Sequence, residues 1–507
     1  MAGLDRRELL AGAAGGLLAG SLPLDPVALL ADRVLAQPAL SRRAARALRS
    51  AVRGPVYLPR TPGYNAARLV YNLRYDGARP EAVVQPRDTR DVAAIVRWAG
   101  RFDVRLVPRS GGHSYAGYST TSRGVVVDLS RMRGVRMANG RATVGAGTQL
   151  IDLYAALARR GLLVPGGTCP SVGITGLALG GGHGLSGRRF GLTSDNLLGA
   201  TIVTADGRTR RVDQNSDEDL YWACRGGGGG NFGIVTSLTL EAHRANGAAW
   251  FFMSWPWAAA SQAFAAWQAF APDAPPALTS IFSLGTTGGA GSPRVTALGQ
   301  FFGSERALRR LIRPLARVGG ANVSTGRSSM LALALRWAGC ADESLRACHT
   351  RGTSPGGRQP RESFFGKSDY FDRQVPARGR QVMIDWIERR QRTPSLGGGA
   401  LLFDAYGGAY NRPAADATAF VHRDMLFSLQ YYAAGGPPGA TRVWINGVWR
   451  ALRPFASGQA YQNYIDPQLA SWQRAYYAAN LARLRQVKQT YDPDFRFRFA
   501  QAIPPAG

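Results

Sequence analysis

At 507 residues the chain is longer than one hydrophobic core needs, so two domains are expected. Its composition, 45% hydrophobic and 10% aromatic, is that of an ordinary globular protein, and after the N-terminus no apolar run reaches membrane-spanning length. The net charge of +29 is carried by arginine, with Lys367 and Lys488 the only lysines. These charges are scattered rather than gathered in a stripe, which argues against nucleic-acid binding and leaves a diffuse attraction to acidic surfaces.

Residues 1–36 read as an export signal. Asp5-Arg6-Arg7-Glu8-Leu9-Leu10 has twin-arginine form, an Ala/Gly/Leu-rich segment follows, and Val34-Leu35-Ala36 offers small positions for cleavage before Gln37. That leader predicts a secreted protein with no stable membrane anchor after cleavage. Residues 37–72 form a polar, proline-dotted lead-in.

From Pro80 strand and helix signals alternate. Residues 82–86 read as a strand, and Asp88-Thr89 cap a helix over 90–102. Residues 104–108 form the next strand and deliver the loop R-S-G-G-H-S-Y, which contains His113. Strands follow at 125–129 and 141–147, then a helix over 149–160. The stretch from Gly166 to Gly191 is dense in glycine and holds Cys169 before Pro170. Strands at 201–204 and 233–240 bracket a third glycine run, from Arg225 to Thr236.

Repeated glycines let successive N–H groups converge on an anion, here expected to be a pyrophosphate. Two of the runs enclose an imidazole and a thiol, groups that both add to electron-poor rings. The pattern points to a large cofactor with a reactive ring. Two G-x-G-x-x-G matches, at Gly182–Gly187 and Gly228–Gly233, are not dinucleotide fingerprints: a strand signal follows the second, and neither has a well-placed downstream acid. Gly366-Lys367-Ser368 ends like a phosphate loop, but Arg361 stands where its first glycine should be.

Residues 247–455 change texture, becoming rich in Trp, Phe, Ala and Gly. Trp255-Pro256-Trp257 opens the segment, an Ala-rich helix follows, and a mixed or antiparallel sheet backed by helices is expected, with a loop at 351–362. Cys340 and Cys348, eight apart in an exported chain, read as a local disulfide, and Cys224 beside Trp222 as a buried apolar residue. With one nearby histidine and no second cysteine pair, no metal site is expected.

Taken as a set, R-S-G-G-H, G-x-C-P-x-V-G, the glycine runs and a terminal Y-x-N-Y resemble the FAD domain of the vanillyl-alcohol-oxidase/p-cresol-methylhydroxylase type. More narrowly, they resemble berberine-bridge-enzyme-like oxidases. The likeness covers roughly 73–246 and the last fifty residues. It implies an α+β fold: an FAD domain at 73–246, a substrate domain at 247–455, and a C-terminal segment at 456–507 that returns to the FAD. It also implies flavin bonded twice, through His113 to the 8α carbon and through Cys169 to C6. By the same likeness the cofactor is lined by Arg109, Ser110, Gly111, Gly112, Ser114, Gly167, Val172, Gly173, Gly176, Gly181, Gly182, Gly184, Asp195, Asn196, Gly230, Gly233, Ile234, Val235, Tyr461 and Asn463. Phe190 stands where many relatives have tyrosine.

The family oxidises alcohols, often sugar hemiacetals, by removing a hydroxyl proton as hydride passes to flavin N5. The resemblance makes Tyr464 the base, with Asp404 and Gln430 beside it and Tyr115 and Tyr406 at the substrate. A valine at 172 goes with oxidase behaviour, so O₂ is the expected acceptor, giving H₂O₂. The leading expectation is an exported carbohydrate or oligosaccharide oxidase. A tailoring oxidase of a secondary metabolite and a non-catalytic flavin-loaded binding protein are the alternatives.

Overall fold

The structure, a computed structural model, describes residues 40–289 and 291–507; the leader expected over 1–36 lies outside the described residues. Three sheets carry the architecture. The first is four-stranded, in the spatial order Val56–Tyr57, Ala82–Val84, Val125–Asp128, Leu106–Arg109. The second is five-stranded and antiparallel, in the order Val135–Ala138, Arg141–Gly145, Ile234–Glu241, Leu197–Val203, Thr209–Val212. The third is seven-stranded and antiparallel throughout.

The first sheet rests on the helix Thr89–Phe102, whose N-cap Asp88 accepts from the N–H groups of Arg90 and Asp91. That helix buries Val92, Ile95, Val96 and Trp98 against Val84, Val125 and Val127. The lead-in is more structured than its polar composition suggests. Ser41 caps a helix over Arg42–Ala51, which buries Ala44 and Leu48 and takes a hydrogen bond from Trp98 Nε1 on Ala44 O. Val56–Tyr57 then pairs antiparallel with Ala82–Val84. Two apolar positions four apart among arginines gave too narrow a stripe to read as a helix.

The seven-stranded sheet has two unlike faces because side chains alternate along each strand. Phe282, Leu401, Phe403, Phe427, Leu429 and Tyr431 face one core, together with the helices Ala260–Phe270, Ala377–Gln391 and Pro438–Leu452. Phe264 is fully buried there, and cutting it to alanine costs about 3–5 kcal/mol. Asp404 and Gln430, out of phase with those aromatics, point from the opposite face. Asp404 pairs with Ser428 and Gln430 with Leu402, so the register sets both side chains on one surface.

The C-terminal segment closes back on the first half. Leu484, Val487 and Ile503 join the core of the five-stranded sheet. Lys488, fully buried, donates to Asp492 and to the carbonyls of Asn231 and Phe497. The expected disulfide joins Cys340 to Cys348, and Cys224 is buried in the second core. Among the described residues no helix is long and apolar enough to cross a membrane, and no cluster of side chains suits a metal ion.

Candidate active site

A cavity of about 290 Å³ runs between the two small sheets, the inner face of the seven-stranded sheet and the C-terminal segment. Two loops form its wall. The His113 loop leaves the strand Leu106–Arg109, and the Cys169 loop leads into the helix Ile174–Leu179. They touch backbone to backbone: a Cβ on Gly111 would lie 2.2 Å from the nitrogen of Gly173. Only glycine allows that approach. Leu150 and Ile151 N–H groups bind the carbonyls of Val172 and Pro170, and Tyr154 Oη donates to Gly167 O. The Cys169 loop is therefore fastened at both ends, while Cys169 itself is exposed and free.

His113 stacks on Tyr71 with centroids 4.1 Å apart and shares a hydrogen bond with Ser171 Oγ at 2.9 Å. Burial pushes its pKa down to about 3, which keeps the ring neutral. Cys169 lines the same cavity, as do Ser110, Gly112, Ser114, Gly167, Val172, Gly176, Gly184, Gly230, Gly233, Val235, Tyr461 and Asn463.

Tyr464 comes from the short turn Gln462–Tyr464, and its neighbours are tied firmly. Tyr461 N–H binds Ser368 Oγ, Gln462 Nε2 binds Gly226 O, and Asn463 Nδ2 binds Leu177 O. Lys367 and Asp466 form a buried ion pair just beyond. Tyr464 stacks on Tyr115 at 5.1 Å, and Tyr115 Oη accepts from Gln430 Nε2 at 2.5 Å. Asp404 is buried, with Oδ2 lacking a hydrogen-bond partner among the described residues. Burial raises the Tyr461 phenol to about 12, even though Gly182 N–H and Asn463 Nδ2 donate to its oxygen.

Several expected contacts lie elsewhere. Arg109 does not line the cavity; it grips the carbonyls of Ala67, Arg68 and Leu69 and pairs with Asp128. Asp195 is held by Arg423, and Asn196 by the carbonyls of Phe190 and Leu192. Ile234 sits in the core of the first sheet. Added Cβ atoms on Gly181 and Gly182 would meet Phe420 and Thr193, so both glycines face protein. Tyr406 is buried away from the cavity, stacked on Tyr410 and hydrogen-bonded to the Tyr370 hydroxyl. Phe190 stacks on His243.

One residue went unread. His183, in the run Gly182-His183-Gly184, lines the cavity with Nδ1 3.7 Å from Asp404 Oδ1. Its sequence signal was a lone imidazole inside a glycine run, the same signal that marked His113. Tyr118 and Gln501 also line the cavity, and their buried Oη and Oε1 have no protein partner among the described residues.

This lining suits FAD. A glycine-floored trough admits close backbone approach, the orphaned phenol and amide offer polar contacts, and a neutral imidazole and a free thiol flank the wall. The chain matches the family model described as FAD binding domain over residues 80–213, and the model described as berberine and berberine like over 460–504. An uncharacterised FAD-linked oxidoreductase of Bacillus subtilis is 33% identical over 88% of this chain and 95% of its own. The structure of a berberine-bridge-enzyme-like protein from Physcomitrella patens matches with a TM-score of 0.82 at 30% identity, over 92% of this chain and 99% of that one. A chitooligosaccharide oxidase of Gibberella zeae is 28% identical over 88% of this chain and 89% of its own. A solved chitooligosaccharide oxidase structure has a TM-score of 0.82 at 27% identity, over 92% of this chain and all of that one. The protein is thus an FAD-linked oxidoreductase. It belongs to the berberine-bridge-enzyme-like family.

Proposed function

We propose that this protein oxidises a hydroxyl of a carbohydrate, an oligosaccharide hemiacetal above all, with O₂ as the final acceptor, and that it does so after export. The observation that carries the reading is the convergence of Tyr464, Tyr115, Gln430 and Asp404 on the cavity that His113 and Cys169 flank. When bound, FAD supplies the hydride acceptor and passes two electrons on to O₂, which leaves with two protons as H₂O₂.

Tyr464 takes the hydroxyl proton as the C–H bond gives up its hydride, and the carbon–oxygen single bond becomes a carbonyl; a hemiacetal yields a lactone. Tyr115 holds the Tyr464 ring from one side, and Gln430 fixes Tyr115. The free Asp404 oxygen accepts a second substrate hydroxyl or shares the proton with Tyr464. His113 and Cys169 would hold the flavin ring covalently and keep it rigid. Val172 leaves room for O₂. The chitooligosaccharide oxidase among its relatives supports a sugar substrate, and the twin-arginine form of residues 5–10 supports export of the folded, loaded enzyme.

The test is peroxide release in air from cellobiose, xylobiose and chitobiose, coupled to a peroxidase. Turnover of at least one sugar is expected, with Tyr464→Phe slower by about 10²–10⁴-fold, the range for loss of a general base. A loaded enzyme that neither releases peroxide nor bleaches anaerobically with any of the three contradicts the carbohydrate reading.

A further inference from the structure

Using Tyr464 as the base poses a charge problem. A phenol has an ordinary pKa near 10, and a carboxylate in the same enclosed site opposes phenolate formation, since like charges there repel. Asp404 is that carboxylate, 5% exposed. A compensating positive charge is needed close to both groups.

His183 stands where that charge is needed. It is 6% exposed, and its Nδ1 lies 3.7 Å from Asp404 Oδ1. Its ring meets the edge of Tyr464 at 5.6 Å, of Tyr461 at 4.8 Å and, more obliquely, that of Tyr406 at 6.1 Å. The titratable groups facing it include one carboxylate and three phenols, all of which are neutral or negative. Arg498, another basic group in the lining, belongs to the tail beside Phe499. That tail approaches the Gly230 wall, where an added Cβ would lie 3.9 Å from Phe499 Cε1. Backbone geometry holds the imidazole in place. The Gly182 N–H binds Tyr461 Oη at 2.8 Å, and a Cβ on Gly184 would collide with Gly166 O, so the segment on either side of His183 is fixed.

We propose that His183 is a positioning residue for hydroxyl oxidation: as an imidazolium it pairs with Asp404 and balances the negative charge that Tyr464 carries when it is ready to take the substrate proton. Asp404 then orients the imidazolium instead of opposing the phenolate. Tyr464, Asp404 and His183 act as one unit with a single net negative charge. The inference rests on the reading of Tyr464 as the base.

Five histidines make the test tractable. Imidazole resonances of the histidine-labelled holoenzyme are followed by NMR from pH 6 to 9, with His183 assigned from its absence in His183→Gln. His183 is expected as imidazolium at pH 7 in the wild type and neutral in Asp404→Asn. A neutral His183 throughout in the wild type overturns the proposal. If His183→Gln does not fold, assignment by elimination among the other four histidine variants gives the same readout.

Kinetics supply the second arm, using whichever of cellobiose, xylobiose or chitobiose releases peroxide. In His183→Gln the rising limb of the anaerobic reduction rate moves to higher pH by about one unit or more, and activity returns as pH increases. Adding His183→Gln to Asp404→Asn is expected to cost little further, because the two act together; fully additive losses contradict that. Tyr464→Phe separates the two layers. If that variant reduces as fast as wild type, the base assignment fails, and the ionisation of His183 seen by NMR still decides whether the ion pair exists.

Discussion

The ring of Tyr115 lies parallel to that of Tyr464, with centroids 5.1 Å apart and planes 16° apart, and its hydroxyl is held by Gln430. Residues from three distant parts of the chain thereby meet at the proposed base. A ring stack is worth about 0.5–1.5 kcal/mol beyond its buried area. If that energy holds Tyr464 in its working position, Tyr115→Ala lowers the anaerobic reduction rate by about 2- to 10-fold. Tyr115→Phe keeps the stack and loses only the Gln430 bond, so its loss is smaller. Rapid-mixing reduction kinetics on both variants check the order; equal losses contradict it.

Val172 lines the cavity and is half-buried. If Val172 gates O₂ as proposed, a larger side chain there narrows that approach while leaving Tyr464, Asp404 and Gln430 in place. Val172→Leu is expected to slow reoxidation of the reduced enzyme by O₂ while leaving its reduction by sugar unchanged. Stopped-flow mixing with O₂ reads the first rate. Unchanged reoxidation would remove Val172 as the gate.

The disulfide loop is latched to the helix Leu150–Ala158 by a pH-sensitive contact. The Asp152 carboxylate, 3.1 Å from His349 Nε2, raises the imidazole pKa above its ordinary 6.5 despite burial. A group raised in the folded state stabilises fully below its unfolded pKa and loses that contribution as pH rises through the folded value. Asp152 is 37% exposed, so solvent screening limits the effect to about 1 kcal/mol or less. The melting-temperature difference between wild type and His349→Gln is therefore largest near pH 6 and shrinks above neutrality. A difference independent of pH contradicts the latch.

Much of the cofactor cavity was legible because its signals are local. The His113 and Cys169 loops announce themselves by adjacent glycines, and the hydrogen bonds that fasten the Cys169 loop to the helix Leu150–Ala158 join near neighbours in sequence. The charged residues beside those loops misled for a related reason. Arg109 and Asp195 are expected by resemblance to line the cofactor, but Asp128 and Arg423 satisfy them, and sequence spacing does not reveal which partner wins. His183 was missed because its meaning depends on Asp404, on a strand far along the chain. The helix Arg42–Ala51 was missed because its core-facing stripe is just Ala44 and Leu48. Tyr406 is close to Asp404 in sequence, yet the strand ends at Ala405 and the ring turns into the cluster with Tyr370 and Tyr410.

The most direct test of the account is the absorbance of purified holoenzyme before and after acid precipitation, with His113→Ala and Cys169→Ala alongside. Yellow colour held in the wild-type pellet, kept by each single variant and released only when both residues are replaced, is the result the account predicts. Colour released to the supernatant from the wild type would contradict the covalently held flavin that the account assigns to His113 and Cys169.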